Sequence, residues 1–129
     1  MASAPAPLIL IVEDQDSVRD VYAEVLREAG YPVLEARRAD DAEEMLWKDR
    51  PDMLLLDLNM PPGQMSGAEL LARLRESMRF ASLPVVIVSG LGDLVNPDVV
   101  EGLHVTAVLQ KPVDRQALLD AVAAAARAH

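Results

Sequence analysis

Apolar residues recur along this chain with two alternating rhythms. Leu8 to Val12 is an unbroken apolar run of strand length, as expected for a strand covered on both faces. Val18, Val21, Tyr22, Val25, Leu26 and Ala29 then return at helical spacing. Asp16 or Ser17 is placed to cap that helix and Gly30 to stop it. Tyr31 to Ala36 reads as a weaker strand, and Pro32 assigns it to a sheet edge. Ala39, Ala42 and Leu46 mark a second helix that ends near Asp49.

The alternation continues to the end. Met53 to Leu56 is a third strand, and Ser66 or Gly67 opens a helix carrying Leu70, Leu71, Leu74 and Met78. Pro84 to Val88 is a fourth strand, closed by Ser89-Gly90. Between Leu91 and Gly102 the pattern is irregular, with a short helix expected from Asn96 as cap and Pro97 as first helical residue. Val105 to Leu109 is the fifth strand. Asp114 caps a last helix through Leu118 and Val122 into an Ala-rich end, where alanine's helix propensity helps. Repeated strand-then-helix units predict an α/β fold, a doubly wound parallel sheet with helices on both faces.

Composition narrows the function. The chain has 129 residues, enough for one domain with one core. Residues 1–7 read as a loose leader and 8–129 as the domain, with little chain left after the last helix for a separate output domain. Aromatic residues make up only 3%, so the core must be aliphatic, and Trp47 is expected to pack at the base of the second helix. The net charge of -9 argues against nucleic acid and anionic membranes as partners. There is no cysteine, no signal-peptide pattern and no stretch of transmembrane length, so a cytoplasmic protein is expected. His104 and His129 have no neighbours that suggest catalysis and are expected on the surface.

The chemistry lies where the strands end. In open parallel sheets, sites form at the carboxyl ends of the strands. Glu13, Asp14, Asp57, Ser89 and Lys111 all fall there. Asp57 directly ends an apolar run, and a carboxylate so placed is costly unless something pairs with it or uses it. Crowded carboxylates repel one another, and a hard divalent cation such as Mg2+ relieves this through oxygen ligands. An aspartate beside such a cation can act as nucleophile and form an acyl phosphate. Lys111 would then offer a second counter-charge and the Ser89 hydroxyl a donor.

Val12-Glu13-Asp14, Leu56-Asp57 with Met60-Pro61, Ser89-Gly90 and Lys111-Pro112 give the chain its resemblance to the receiver domain of bacterial two-component response regulators, chemotaxis regulators included. The resemblance spans roughly Leu8 to Arg127. It implies the flavodoxin-like strand order 2-1-3-4-5. It implies Asp57 as the residue phosphorylated by a histidine kinase or histidine phosphotransfer protein, in two-component signal transduction. It implies Mg2+ held by Glu13, Asp14, Asp57 and the backbone carbonyl of Asn59, with Ser89 and Lys111 contacting the phosphoryl group. It implies a cis peptide before Pro112, and self-phosphorylation and self-dephosphorylation chemistry in a signalling protein that is otherwise not an enzyme.

The chain departs from the family in places. Receivers usually carry Tyr or Phe three residues before the lysine, and here that position is Val108, so the usual aromatic switch is not expected. The segment Pro61 to Gly67 is about two residues longer than the commonest form. Other classes fit less well. A flavodoxin needs a phosphate loop where this chain has Glu13-Asp14-Gln15-Asp16, and an aspartyl phosphohydrolase needs a second acid where Asn59 stands. A receiver-like scaffold that works without phosphorylation is the remaining alternative.

Overall fold

Even and odd positions of the central strands point to opposite sides of one sheet, and each side has its own core. The computed structural model describes residues 6–58, 65–90 and 105–128. The strands are β1 (Ile9–Val12), β2 (Val33–Ala36), β3 (Met53–Asp57), β4 (Val85–Ser89) and β5 (Ala107–Gln110). They are all parallel, in the order β2-β1-β3-β4-β5. This is the fold class and strand order that the sequence implied. β2 is indeed at an edge.

The helices are α1 (Asp16–Glu28), α2 (Ala39–Asp49), α3 (Gly67–Glu76) and α4 (Arg115–Ala128). Leu10, Val12, Leu54, Leu56, Val85 and Ile87 pack with α2 and α3 through Leu46, Leu70, Leu71 and Leu74. Ile9, Ile11, Met53, Leu55, Val86 and Val88 pack with α1 and α4 through Tyr22, Leu26, Leu118 and Val122. Burying each such Leu or Ile contributes about 1.5–3 kcal/mol. Burial on both faces is why β1, β3 and β4 read as unbroken apolar runs. β5 differs: it alternates, with Val108 40% exposed. Among the described residues, no helix is long and apolar enough to cross a membrane.

Several local expectations change. The cap of α1 is Gln15, without a side-chain hydrogen bond, and neither Asp16 nor Ser17 fills that role. Asp16 is instead the first helical residue, where a negative charge suits the helix dipole. Val21 and Ala29 do not lie on the buried face of α1, whose stripe is Arg19, Tyr22, Ala23, Val25 and Leu26. Met78 lies beyond α3 and is 99% exposed. Ser77 is extended and ends the helix, and the Arg75 guanidinium donates to the carbonyls of Phe80 and Ala81. That turn sends Phe80 into the core in place of Met78. Trp47 is half exposed, its ring meeting Phe80 edge-on at 4.8 Å.

Other caps follow the sequence. Ser66 accepts a hydrogen bond from the Glu69 amide, and Asp114 accepts one from Ala117. Gly30 stops α1 with φ +96, in the left-handed region. The expected helix at Asn96-Pro97, most of the long Pro61–Gly67 segment, Asn59, His104, His129 and most of the leader lie outside the described residues.

Candidate functional site

The sheet order decides which strand ends meet. β1 and β3 are neighbours with Val12 opposite Leu56, so Glu13 and Asp57 leave the sheet side by side. Asp57 is the last residue of β3 and sits opposite Val88 of β4. Ser89 ends β4 opposite Gln110, and the Lys111 amide donates to the Ser89 carbonyl at 2.7 Å. The Lys111–Pro112 peptide is cis.

From that position the Lys111 side chain reaches back across β4. Its Nζ lies 2.8 Å from Oε1 of Glu13 and 3.0 Å from Oδ2 of Asp57. Glu13, Asp57 and Ser89 are buried, and Asp14 is half-buried. The second carboxylate oxygen of Glu13 accepts the Gln15 amide at 3.1 Å, and the Glu13 amide donates to the Ala36 carbonyl at 3.1 Å. The main-chain oxygen of Glu13 accepts a buried bond from Nη1 of Arg19 at 2.9 Å.

Electrostatics follow from this crowding. Burial raises the pKa of Asp14, and its hydrogen bond and like charge with Glu13 raise it further. Burial works against the Lys111 ammonium. Its hydrogen bonds to Glu13 and Asp57 outweigh that and hold its pKa above the ordinary value of 10.5. Burial pushes the Tyr22 phenol up to about 12, with Glu13 and Asp57 adding to the shift.

Carboxylate oxygens of Glu13, Asp14 and Asp57 lie within 4.8 Å of one another. An all-oxygen, acid-rich set of this size fits a hard cation such as Mg2+, which keeps waters and takes few carboxylates. Softer metals would want imidazole or thiolate, and among the described residues neither group joins this cluster. Glu13, Asp14, Asp57, Ser89 and Lys111 are thus brought to one sheet edge. Val108 sits on the next strand, β5, opposite Ile87, and is partly exposed.

Sequence reasoning passed over Arg19. A signal was present: Arg19, Tyr22, Ala23 and Leu26 follow the i, i+3, i+4, i+7 spacing of the buried stripe. A cation on an apolar stripe points to a buried partner.

Comparison with known proteins agrees with this geometry. The chain is 33% identical over 117 residues to the sporulation initiation phosphotransferase F of Bacillus subtilis, covering 88% of this chain and 89% of that protein. It is 36% identical over 99 residues to the phosphate regulon transcriptional regulatory protein PhoB of Pseudomonas aeruginosa, covering 77% of this chain and 42% of that longer protein. The chain thus spans less than half the length of this second relative. The crystal structure of a response regulator receiver protein from Pseudomonas putida superposes with a TM-score of 0.83 at 34% identity, covering 94% of this chain and 98% of that one. Residues 9–123 match the response regulator receiver domain as a family. With its acidic pocket at the carboxyl edge of a 2-1-3-4-5 sheet, the chain belongs to the response regulator receiver domain family.

Proposed function

We propose that this protein accepts a phosphoryl group on Asp57 from a phosphohistidine of a histidine kinase or histidine phosphotransfer protein, in the cytoplasm. The observation that carries this reading is the Asp57 carboxylate itself, 2% exposed, beside two further acids and the Lys111 ammonium. An acid so buried, with like charges beside it, is poorly explained by stability alone.

In the transfer, a carboxylate oxygen of Asp57 attacks phosphorus, the N–P bond of the donor breaks, and its electron pair stays on the imidazole. Glu13, Asp14, Asp57 and the backbone carbonyl of Asn59 would hold Mg2+, which supplies positive charge to the equatorial oxygens. Lys111 moves its contact from the unphosphorylated Asp57 carboxylate to the transferred group and offsets its charge. The Ser89 hydroxyl donates to another phosphoryl oxygen. Later attack by water on phosphorus breaks the bond to the Asp57 oxygen, releases inorganic phosphate and restores the carboxylate. An open cleft of about 550 Å³ lined by Val18, Val21, Tyr22, Pro112 and Val113 adjoins Lys111. It gives a donor protein an apolar surface beside the acceptor.

Acetyl phosphate with Mg2+ tests the reading, with intact mass as readout. One added phosphate is expected, dependent on Mg2+ and abolished in Asp57→Ala. An unmodified mass under these conditions would overturn the acceptor role and favour a phosphorylation-independent scaffold.

A further inference from the structure

The polar or charged residues buried among those described are Glu13, Arg19, Asp57 and Ser89. Three belong to the site. Arg19, on α1, is the exception, and burying a guanidinium is costly unless its bonds are well placed. Its Nη1 donates to the main-chain oxygen of Glu13 at 2.9 Å, and its Nη2 to Oδ1 of Asp16 at 2.6 Å. Its Nε faces Oε1 of Glu35 on β2 at 3.4 Å, without hydrogen-bond geometry. The planar fork therefore ties the turn carrying Glu13, Asp14 and Gln15 to α1 on one side and β2 on the other.

We infer that Arg19 is a positioning residue that sets the divalent-cation affinity of the acidic pocket. The inference rests on the reading of that pocket as a Mg2+ site. Glu13 has its other groups occupied by Ala36, Gln15 and Lys111. The Arg19 bond fixes its remaining backbone oxygen, so the orientation of the peptide leading into Asp14 depends on it. Groups that orient metal ligands typically change affinity about 10–100-fold when removed.

Electrostatics alone predict the opposite sign. Deleting a cation beside an acidic pocket should tighten Mg2+ binding. Positioning predicts that binding weakens. Calorimetric titration of Mg2+ into the full chain reads this directly, without phosphorylation. Arg19→Met is expected to weaken binding about 10-fold or more. Arg19→Lys keeps the charge but cannot hold the Glu13 carbonyl and Asp16 together, and is expected to fall between. Val25→Ala, on the buried face of the same helix but outside the site, should lower Tm and leave Mg2+ affinity unchanged.

Unchanged or tighter binding in Arg19→Met overturns the inference, as does an equal loss in Val25→Ala. Should Arg19→Met not unfold cooperatively, Arg19→Lys decides: weaker binding supports the role and wild-type binding overturns it. If the unaltered chain takes up no Mg2+, the metal reading falls and this inference with it. If the unaltered chain binds and the Arg19 variants bind equally well, only this inference falls.

Discussion

The ammonium of Lys111 rests 3.0 Å from Oδ2 of Asp57, although the two residues are 54 positions apart in sequence. The same nitrogen bonds Glu13, 98 positions away. One lysine thus holds two buried acids, one just past β1 and one at the end of β3.

Lys111→Met should be destabilising, because Glu13 and Asp57 would stay buried without their counter-charge. The side chain of Lys111 is 23% exposed, which tempers the effect to about 2 kcal/mol at pH 7 without Mg2+. The folded state raises the pKa of Lys111, so its stabilisation is fully present below the ordinary value of 10.5. That contribution is lost as pH rises beyond 10.5 through the higher folded value. Urea unfolding of both proteins at neutral and alkaline pH should show the gap narrowing. A constant gap would contradict it.

Asp14 makes the reverse case. Its pKa is raised, so the folded state favours its protonated form. The resulting penalty is absent below the ordinary value of 3.8, grows as pH rises towards the raised folded value, and is complete above it. Asp14→Asn should therefore raise Tm at pH 7 without metal, modestly because Asp14 is only half-buried. Added Mg2+ should stabilise the unaltered protein by mass action and the variant much less. Thermal scans with and without Mg2+ check both.

Gly67 tests how the acceptor is seated. A Cβ there would meet the Asp57 carbonyl oxygen at 2.7 Å and the Leu58 Cα at 3.0 Å, both backbone atoms that cannot swing aside. Gly67→Ala should cost about 2 kcal/mol, because Gly67 opens α3 and gains little from alanine's helix propensity. It should also slow phosphorylation by acetyl phosphate, because the strain falls on Asp57 itself. Denaturant curves and time-resolved intact mass measure the two effects.

Val108 should be nearly silent. It is 40% exposed and too short to act as an aromatic rotamer switch. Val108→Ala is expected to change stability by less than about 0.5 kcal/mol and to leave the extent of phosphorylation unchanged. A beryllofluoride-bound structure with coupled movement of Ser89 and Val108 would show that a switch survives at this position.

Legibility differed by element. β1, β3 and β4 were plain in the sequence because burial on both faces demands unbroken apolar runs. α3 was legible at its start, where Ser66 caps it, but not at its end. The spacing of Met78 continues the apolar stripe, yet the Arg75 bonds to the Phe80 and Ala81 carbonyls turn the chain away. α1 was legible as a helix, but its capping residue and part of its buried face were not. The apolar rhythm counts Val21 and passes over Arg19, because periodicity registers hydrophobicity and not available partners.

The sequence by itself determined the elements, the two-sided burial of the sheet and the presence of Glu13, Asp14, Asp57, Ser89 and Lys111 at strand ends. Those features depend on local periodicity and on what can follow a buried strand. Only the tertiary structure decided that Lys111 crosses β4 to reach both acids, that Arg19 clamps the Glu13 carbonyl, and that the Asp57–Leu58 backbone leaves no room for a Cβ at Gly67. These are contacts between elements, set by sheet order, register and helix packing, and no stretch of chain contains both partners of the Lys111 or Gly67 contacts within its own local pattern.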